Sequence, residues 1–274
     1  MRIAASTAFG LSTVVAFCVV LAGCGGAGGA TTATGVRDFS AIEVGKTRVQ
    51  VAADGKSAVV RVQTDPPTVC AIAYGRTVSL GSIANDPSMG GSAISRHVVV
   101  LGGLRPNTTY RYRLTATDAQ GRVFQTPELA SFTTKPSRRV AQGRDVALHA
   151  KVVAVSSQYS GDYRAVNAFD GDLSTEWSSA GDGDRAFVTI DLGKREQISG
   201  VSFRTREMSD GSAITRTFAV VVDGGRRYGP FPAGDRVDPR TAAVSFTARR
   251  LRFEVVRSTG GNTGAAEIQV FSRG

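Results

Sequence analysis

From Thr109 to Thr117 the chain alternates without a slip: Tyr110, Tyr112, Leu114 and Ala116 fall on one side, and Arg111, Arg113, Thr115 and Thr117 on the other. Successive side chains of an extended chain point to opposite faces, so this period of two calls for a strand with one face on a core. Shorter runs of the same kind occupy Ser57 to Thr64, Cys70 to Tyr74, His97 to Leu101 and Leu129 to Thr134, and Asp118 to Gly121 reads as a turn between strands. No helical period survives over a useful length in residues 40 to 135. With 32 glycines and 9 prolines against 3 methionines in 274 residues, the composition suits many short strands and tight turns. The expected fold class is all-β.

The second half repeats the pattern. Candidate strands are Val146 to Val155, Ala186 to Leu192, Ile198 to Thr205, Phe218 to Asp223, Ala242 to Phe246, Leu251 to Val256 and Glu267 to Phe271, with a hairpin turn at Asp223, Gly224 and Gly225. Seven or eight strands without helices imply a sandwich or jelly roll. Between the halves, a polar stretch with Pro136 and no apolar period places a linker at 136–143, separating domains 40–135 and 144–274.

The N-terminus is of a different kind. Arg2, an apolar run from Phe9 to Val20, and then Leu21, Ala22, Gly23 and Cys24 form an export signal whose core is too short to span a bilayer comfortably. The small residues before Cys24 resemble the lipobox of bacterial lipoproteins, which implies a signal peptide at 1–23 and lipidation of Cys24. A plain secretory signal cut near the same place is the alternative. The glycine-rich segment 24–39 then reads as a tether, and the implied location is the bacterial cell envelope, on the periplasmic side or the cell surface. Once Cys18 leaves and Cys24 is acylated, Cys70 stands alone. It alternates with Ile72 and Tyr74, as a buried core cysteine would.

The net charge of +10 is uneven: +7 over residues 24–143 and +2 over 144–274. The arginines are spread singly through alternating strands, without a basic helix or an aromatic-interleaved motif, so no nucleic-acid partner is expected; anionic envelope polymers fit the charge better. Catalysis is not expected either. His97 and His149 are the only histidines, no nucleophile stands with a base at a recognisable spacing, and Asp182, Asp184, Glu207 and Asp210 sit where turn formers usually sit.

Asn167 to Trp177 (NAFDGDLSTEW) packs oxygen donors densely. A hard cation such as calcium takes six to eight oxygens, and a tight turn at Gly171 lets carbonyls face inward beside the Asp170 carboxylate and the Thr175 hydroxyl. The ligand spacing of an EF-hand is absent. An Asx turn without a metal is the competing reading of the same residues.

Two family resemblances follow. Leu101 to Tyr110 (LGGLRPNTTY) and Ser131 to Thr134 resemble fibronectin type III modules, whose tyrosine corner ties a loop to the sheet. Asn167 to Trp177, Phe187 to Gly193 and Ala265 to Phe271 resemble, in order, three motifs of the discoidin domains, also called coagulation factor five and eight type C domains, which include the family 32 carbohydrate-binding modules. That resemblance covers about 144 to 272. It implies a structural calcium held by carbonyls of Asn167, Asp172 and Ala266, side-chain oxygens of Asp170 and Glu267, and Thr175, with Trp177 buried. For ligand contact it implies Arg206 and Asn262. The loop from Ser178 to Arg185 has no aromatic ring, so Tyr159 and Tyr163, or Tyr228 with Phe231, are the candidate replacements for a stacking platform.

Two function classes stay open. One is a surface-anchored protein whose discoidin-like domain binds carbohydrate or another cell-surface polymer, spaced from the membrane by the fibronectin-like domain. The other is a structural or assembly protein in which these β domains, the fibronectin-like one included, bind protein partners.

Overall fold

The computed structural model describes residues 35–136 and 143–273. The expected signal peptide and Cys24 lie outside them. The described chain is all-β, and residues 35–274 form one compact unit.

The N-terminal sandwich runs β1 (Arg37–Asp38), β2 (Arg48–Val51), β3 (Ala58–Gly75), β4 (Ser82–Asn85), β5 (Ile94–Leu101), β6 (Thr109–Asp118), β7 (Val123–Gln125) and β8 (Ala130–Thr133). The alternation in β6 plays out as expected: Ala116 lies opposite Cys70, Leu114 opposite Ile72 and Tyr112 opposite Tyr74, all buried. The tie expected of Tyr110 is present, its hydroxyl accepting the Arg105 N–H at 2.9 Å. Cys70 is fully buried, and burial pushes its thiol up to about 12, which suppresses the reactive thiolate.

The C-terminal sandwich follows with β9 (Arg144–Asp145), β10 (Lys151–Val155), β11 (Trp177–Ser178), β12 (Phe187–Thr205), β13 (Thr215–Val222), β14 (Arg227–Pro232), β15 (Thr241–Ser258) and β16 (Gly264–Ser272), the central order being β11-β16-β12-β15-β13-β14. Trp177, Phe169, Phe203, Phe218 and Phe253 fill its core, with Phe203 stacked on Phe218 at 5.2 Å. Truncating any of these rings to Ala costs about 3–5 kcal/mol.

Several boundaries differ from expectation. The tether assigned to 24–39 ends too late: Arg37 and Asp38 pair with β7, and Phe39 is in the core. The strand expected over Val146 to Val155 is broken, because Asp145 accepts the Ala147 N–H, Ala150 N–H bonds back to Ala147, and His149 takes φ +62°. Conversely, Ser57 to Thr64 and Cys70 to Tyr74 fuse into β3, Ala186 to Leu192 and Ile198 to Thr205 into β12, and Ala242 to Phe246 and Leu251 to Val256 into β15. In β12 and β15 the joining residues stay in or near the ladder through a bulge while exposing polar side chains, and in β3 the joint runs through Asp65, Pro66 and Pro67 with Thr64 and Thr68 in the buried positions; both erase the apolar alternation.

The two halves share a small apolar cluster. Val59 and Val100, on the outer face of the N-terminal sheet, pack with Leu173 and Ala266 of the second sandwich. Ala53 N–H donates to Val237 O at 3.1 Å, and Arg61 donates to Glu207 at 2.9 Å. At Gly102 a β-carbon would lie 3.0 Å from Asp172 Oδ1 and 3.1 Å from the Ser174 side chain, so a larger residue there would press on these side chains of the second sandwich.

Candidate functional sites

The first site is the loop after the 3-10 turn Ala165–Phe169. Gly171 sits at φ +77°, a region that only glycine enters without strain, and reverses the chain. Around it the oxygens converge. Thr175 Oγ1 lies 2.7 Å from Asp170 Oδ2, 3.0 Å from Asp172 O and 3.5 Å from Asn167 O. A hydroxyl carries one hydrogen, so it satisfies one of these three acceptors and leaves the others facing it lone pair to lone pair. From the last strand, Glu267 reaches the same place. It is 3% exposed; Oε2 accepts the Gly171 N–H at 3.2 Å, and Oε1 has no partner among the described residues. Burial, reinforced by the Asp145 and Asp170 carboxylates, pushes Glu267 up to about 9. Ala266 stands beside it as the extra residue of a bulge between β12 and β16. All six residues expected at a cation site are thus brought together. Among the described residues no three side chains of His, Cys, Asp and Glu form a metal-holding group. The oxygens the loop offers are two carboxylates, Asp170 and Glu267, beside backbone carbonyls and the Thr175 hydroxyl, donors of the kind a hard divalent ion prefers.

The second site is a loop cluster on the same sandwich. Tyr159 N–H donates to Ser178 O at 2.8 Å, which fixes that loop against β11, and the Tyr159 ring meets Tyr163 edge-on at 5.8 Å. Tyr159 is 59% exposed. Tyr163 is half-buried, its ring 5.7 Å from the Arg206 guanidinium and its hydroxyl donating to Pro87 O of the N-terminal sandwich at 3.1 Å. Arg206 also donates to Asn262 O. Nearby, Ser157 Oγ donates to Asp182 at 2.5 Å.

Tyr159, Tyr163, Arg206 and Asn262 therefore meet, but they are not equivalent. Arg206 is buried, and its Nε and Nη2 donate to Glu176 Oε1 at 2.9 and 2.8 Å. The expectation of Arg206 as a direct ligand contact is corrected here: its donors are spent inside the protein, and it braces Tyr163 and Asn262 instead. Arg236 completes the arrangement on Glu176 Oε2. Burial lowers both guanidinium groups to about 10, and they stay charged at neutral pH. Glu176 and Arg236 were not singled out from sequence, because a triad whose members lie 30 residues apart and more leaves no local pattern. Of the alternative platforms, Tyr228 and Phe231 lie on β14, where Tyr228 packs on Phe246 at 4.7 Å and Phe231 on Phe218 at 5.6 Å. Trp177 is fully buried and donates to Ser157 O, as expected of a core residue.

No curated protein matches the chain. Among solved structures, it is similar to a chitosan-binding module from a Paenibacillus sp. IK-5 chitosanase/glucanase in complex with chitotriose (20% identity, TM-score 0.38, covering 47% of this chain and 100% of that one). It is also similar to the family 32 module of C. perfringens NanJ in complex with galactose (17% identity, TM-score 0.39, 45% and 94%). The sequence profile of the F5/8 type C domain matches residues 152–268, the span that holds both candidate sites. Residues 152–268 are accordingly an F5/8 type C domain.

Proposed function

We propose that this chain is a non-catalytic, lipid-anchored envelope protein whose C-terminal sandwich binds carbohydrate at the Tyr159 loop cluster and carries a structural calcium. The observation that supports binding is the Tyr159 ring, large and exposed yet held in place by its edge contact with Tyr163. A pyranose face stacks on such a ring while nearby polar groups orient its hydroxyls, and Asn262 and Asp182 stand in the adjoining loops. The buried Arg206 and Glu176 pair serves as the foundation of the cluster. The N-terminal sandwich acts as the spacer between the anchor at Cys24 and this site.

For the metal, the supporting observation is the unpartnered Glu267 Oε1 beside an oxygen set with too few donors. Asn167, Asp172 and Ala266 would supply carbonyls, Asp170 and Glu267 carboxylates, and Thr175 its oxygens. Bound calcium supplies positive charge that neutralises the two carboxylates and pins the loop to the last strand.

The deciding experiment is a glycan array probed with the full chain and with Tyr159→Ala. Binding by the first and its loss in the second are expected; a flat array for the unaltered chain overturns the carbohydrate reading. One observation favours the second function class, since Tyr163 spends its hydroxyl on Pro87 of the neighbouring sandwich and part of the loop end is thereby used for internal assembly. On that reading the array is flat, and a specific protein partner is recovered by cross-linking.

A further inference from the structure

A cavity of about 520 Å³ opens between the N-terminal sheet and the loop following β12, in the size range of small-ligand sites. One wall is cationic. Arg48 and Arg61 are directly opposed residues of β2 and β3, and Arg96 of β5 stands opposite Gln63, two positions further along β3 on the same face as Arg61. Lys46 adds a fourth positive group at the rim. Like charges directly opposite across two strands repel, and a sheet tolerates them where something offsets the charge. Only Arg61 has that compensation, from Glu207 at 2.9 Å. Lys46, Arg48 and Arg96 are exposed and have no ion-pair partner among the described residues.

The facing wall is acidic and comes from the other sandwich, with Glu207 and Asp210 on a tight turn closed by Met208 and Ser212. No Phe, Tyr or Trp lines the cavity, so neither a nucleobase nor a pyranose face has a ring to stack on. What such a cleft recognises is a ligand with an anionic group at one edge and hydroxyl hydrogens at the other. Arginines grip a carboxylate or sulfate through paired N–H groups, while the carboxylates opposite accept O–H donors and repel a second anion. A DNA duplex, with a phosphate on every nucleotide and no free hydroxyl along its backbone, is disfavoured on the acidic side.

We infer that the cleft between the two sandwiches is a second ligand site, for an acidic saccharide bearing a carboxylate or sulfate, with Arg48 and Arg96 holding the anion and Asp210 accepting a sugar hydroxyl. The site is independent of Tyr159 and does not rest on the proposed loop-end site. The test is calorimetric titration of the full chain with a galactose trisaccharide ending in a single galacturonate, its monosulfated counterpart, neutral galactotriose and a short DNA duplex, at physiological ionic strength, where distant surface charges are screened. At least one acidic sugar is expected to bind saturably, and Arg48→Gln/Arg96→Gln to weaken it at least about tenfold, a loss of paired charge-assisted hydrogen bonds. Both arginines are exposed, and an unchanged thermal midpoint confirms that the variant folds. Tyr159→Ala is expected to leave this binding intact and Asp210→Asn to weaken it by a smaller factor. The inference is overturned if neither acidic sugar binds, if the double variant binds as well as the parent, if Tyr159→Ala abolishes the signal, or if the duplex binds as tightly as the sugar with the same sensitivity to the double variant.

Discussion

Two glutamates of the C-terminal sandwich are buried to the same degree, 3% exposed each, and are handled in opposite ways. Glu176 lies between Arg206 and Arg236, and both of its oxygens have a cationic partner. Glu267 receives one backbone N–H at Gly171, faces Asp170 and Asp145, and leaves Oε1 bare. Arg204 offsets part of this, with one Nη on Arg236 O at 3.0 Å and the other 3.5 Å from Asp54, while its Nε has no hydrogen-bond partner among the described residues. A buried carboxylate costs several kcal/mol unless compensated. At Glu176 the compensation is written into the chain; at Glu267 it is only partial, and the carboxyl is pushed up to about 9.

The largest effect that breaks this contrast is Glu176→Gln. It removes one charge and strands two buried guanidinium groups, for which about 3–5 kcal/mol of destabilisation is expected in urea unfolding. A loss below about 1 kcal/mol would mean that the triad is hydrated and the contrast false.

Calcium is expected to act only at the other glutamate. A ligand that binds the folded state alone raises stability by about 2.7 kcal/mol at a hundredfold excess over its Kd, visible as a higher unfolding temperature with calcium than with chelator. Asp170→Ala should remove that increment. Glu267→Gln sharpens the comparison: with chelator the variant should be about as stable as the parent, since Glu267, pushed up to about 9, already carries its proton at neutral pH and the amide keeps the Gly171 contact, and with calcium it should gain less. Equal increments in parent and both variants would sink the metal assignment.

A third and smaller expectation concerns the link between the sandwiches. Tyr163→Phe deletes the hydroxyl that donates to Pro87 O but keeps the ring beside Arg206 and Tyr159. A loss of about 0.5–1.5 kcal/mol is expected, the usual net worth of a hydrogen bond. No loss at all would show that the hydroxyl finds water equally well.

The contrast also explains what was legible in the sequence. The oxygen-lined turn was, because Asn167, Asp170, Asp172 and Thr175 lie within one short stretch and their contacts are local; Ala266 and Glu267 entered only through the family resemblance. The strand in Thr109 to Thr117 was legible because burial alternates along it. The Glu176 triad was not, since its ion pairs close across separate strands and loops and have no sequence period. For the same reason Arg206 looked like an exposed ligand when it is a buried brace. Long strands such as β12 looked like two, because the paired but exposed middle, around Gly193 to Gln197, buries nothing that a hydropathy pattern records.

The smallest expected change in stability belongs to the residue expected to matter most for binding. Tyr159 is exposed, and its ring touches the cluster only by an edge. Removing it by Tyr159→Ala should alter unfolding by no more than about 0.5 kcal/mol, the range of surface substitutions away from caps and cores. On the carbohydrate reading proposed above, a ring kept in the open at so little structural benefit is there for the sugar face that would stack on it. Glycan binding lost with stability unchanged is therefore the expected pair of results. If instead Tyr159→Ala destabilises the fold by more than about 2 kcal/mol, the ring is a packing element, and the loop cluster serves assembly and not recognition.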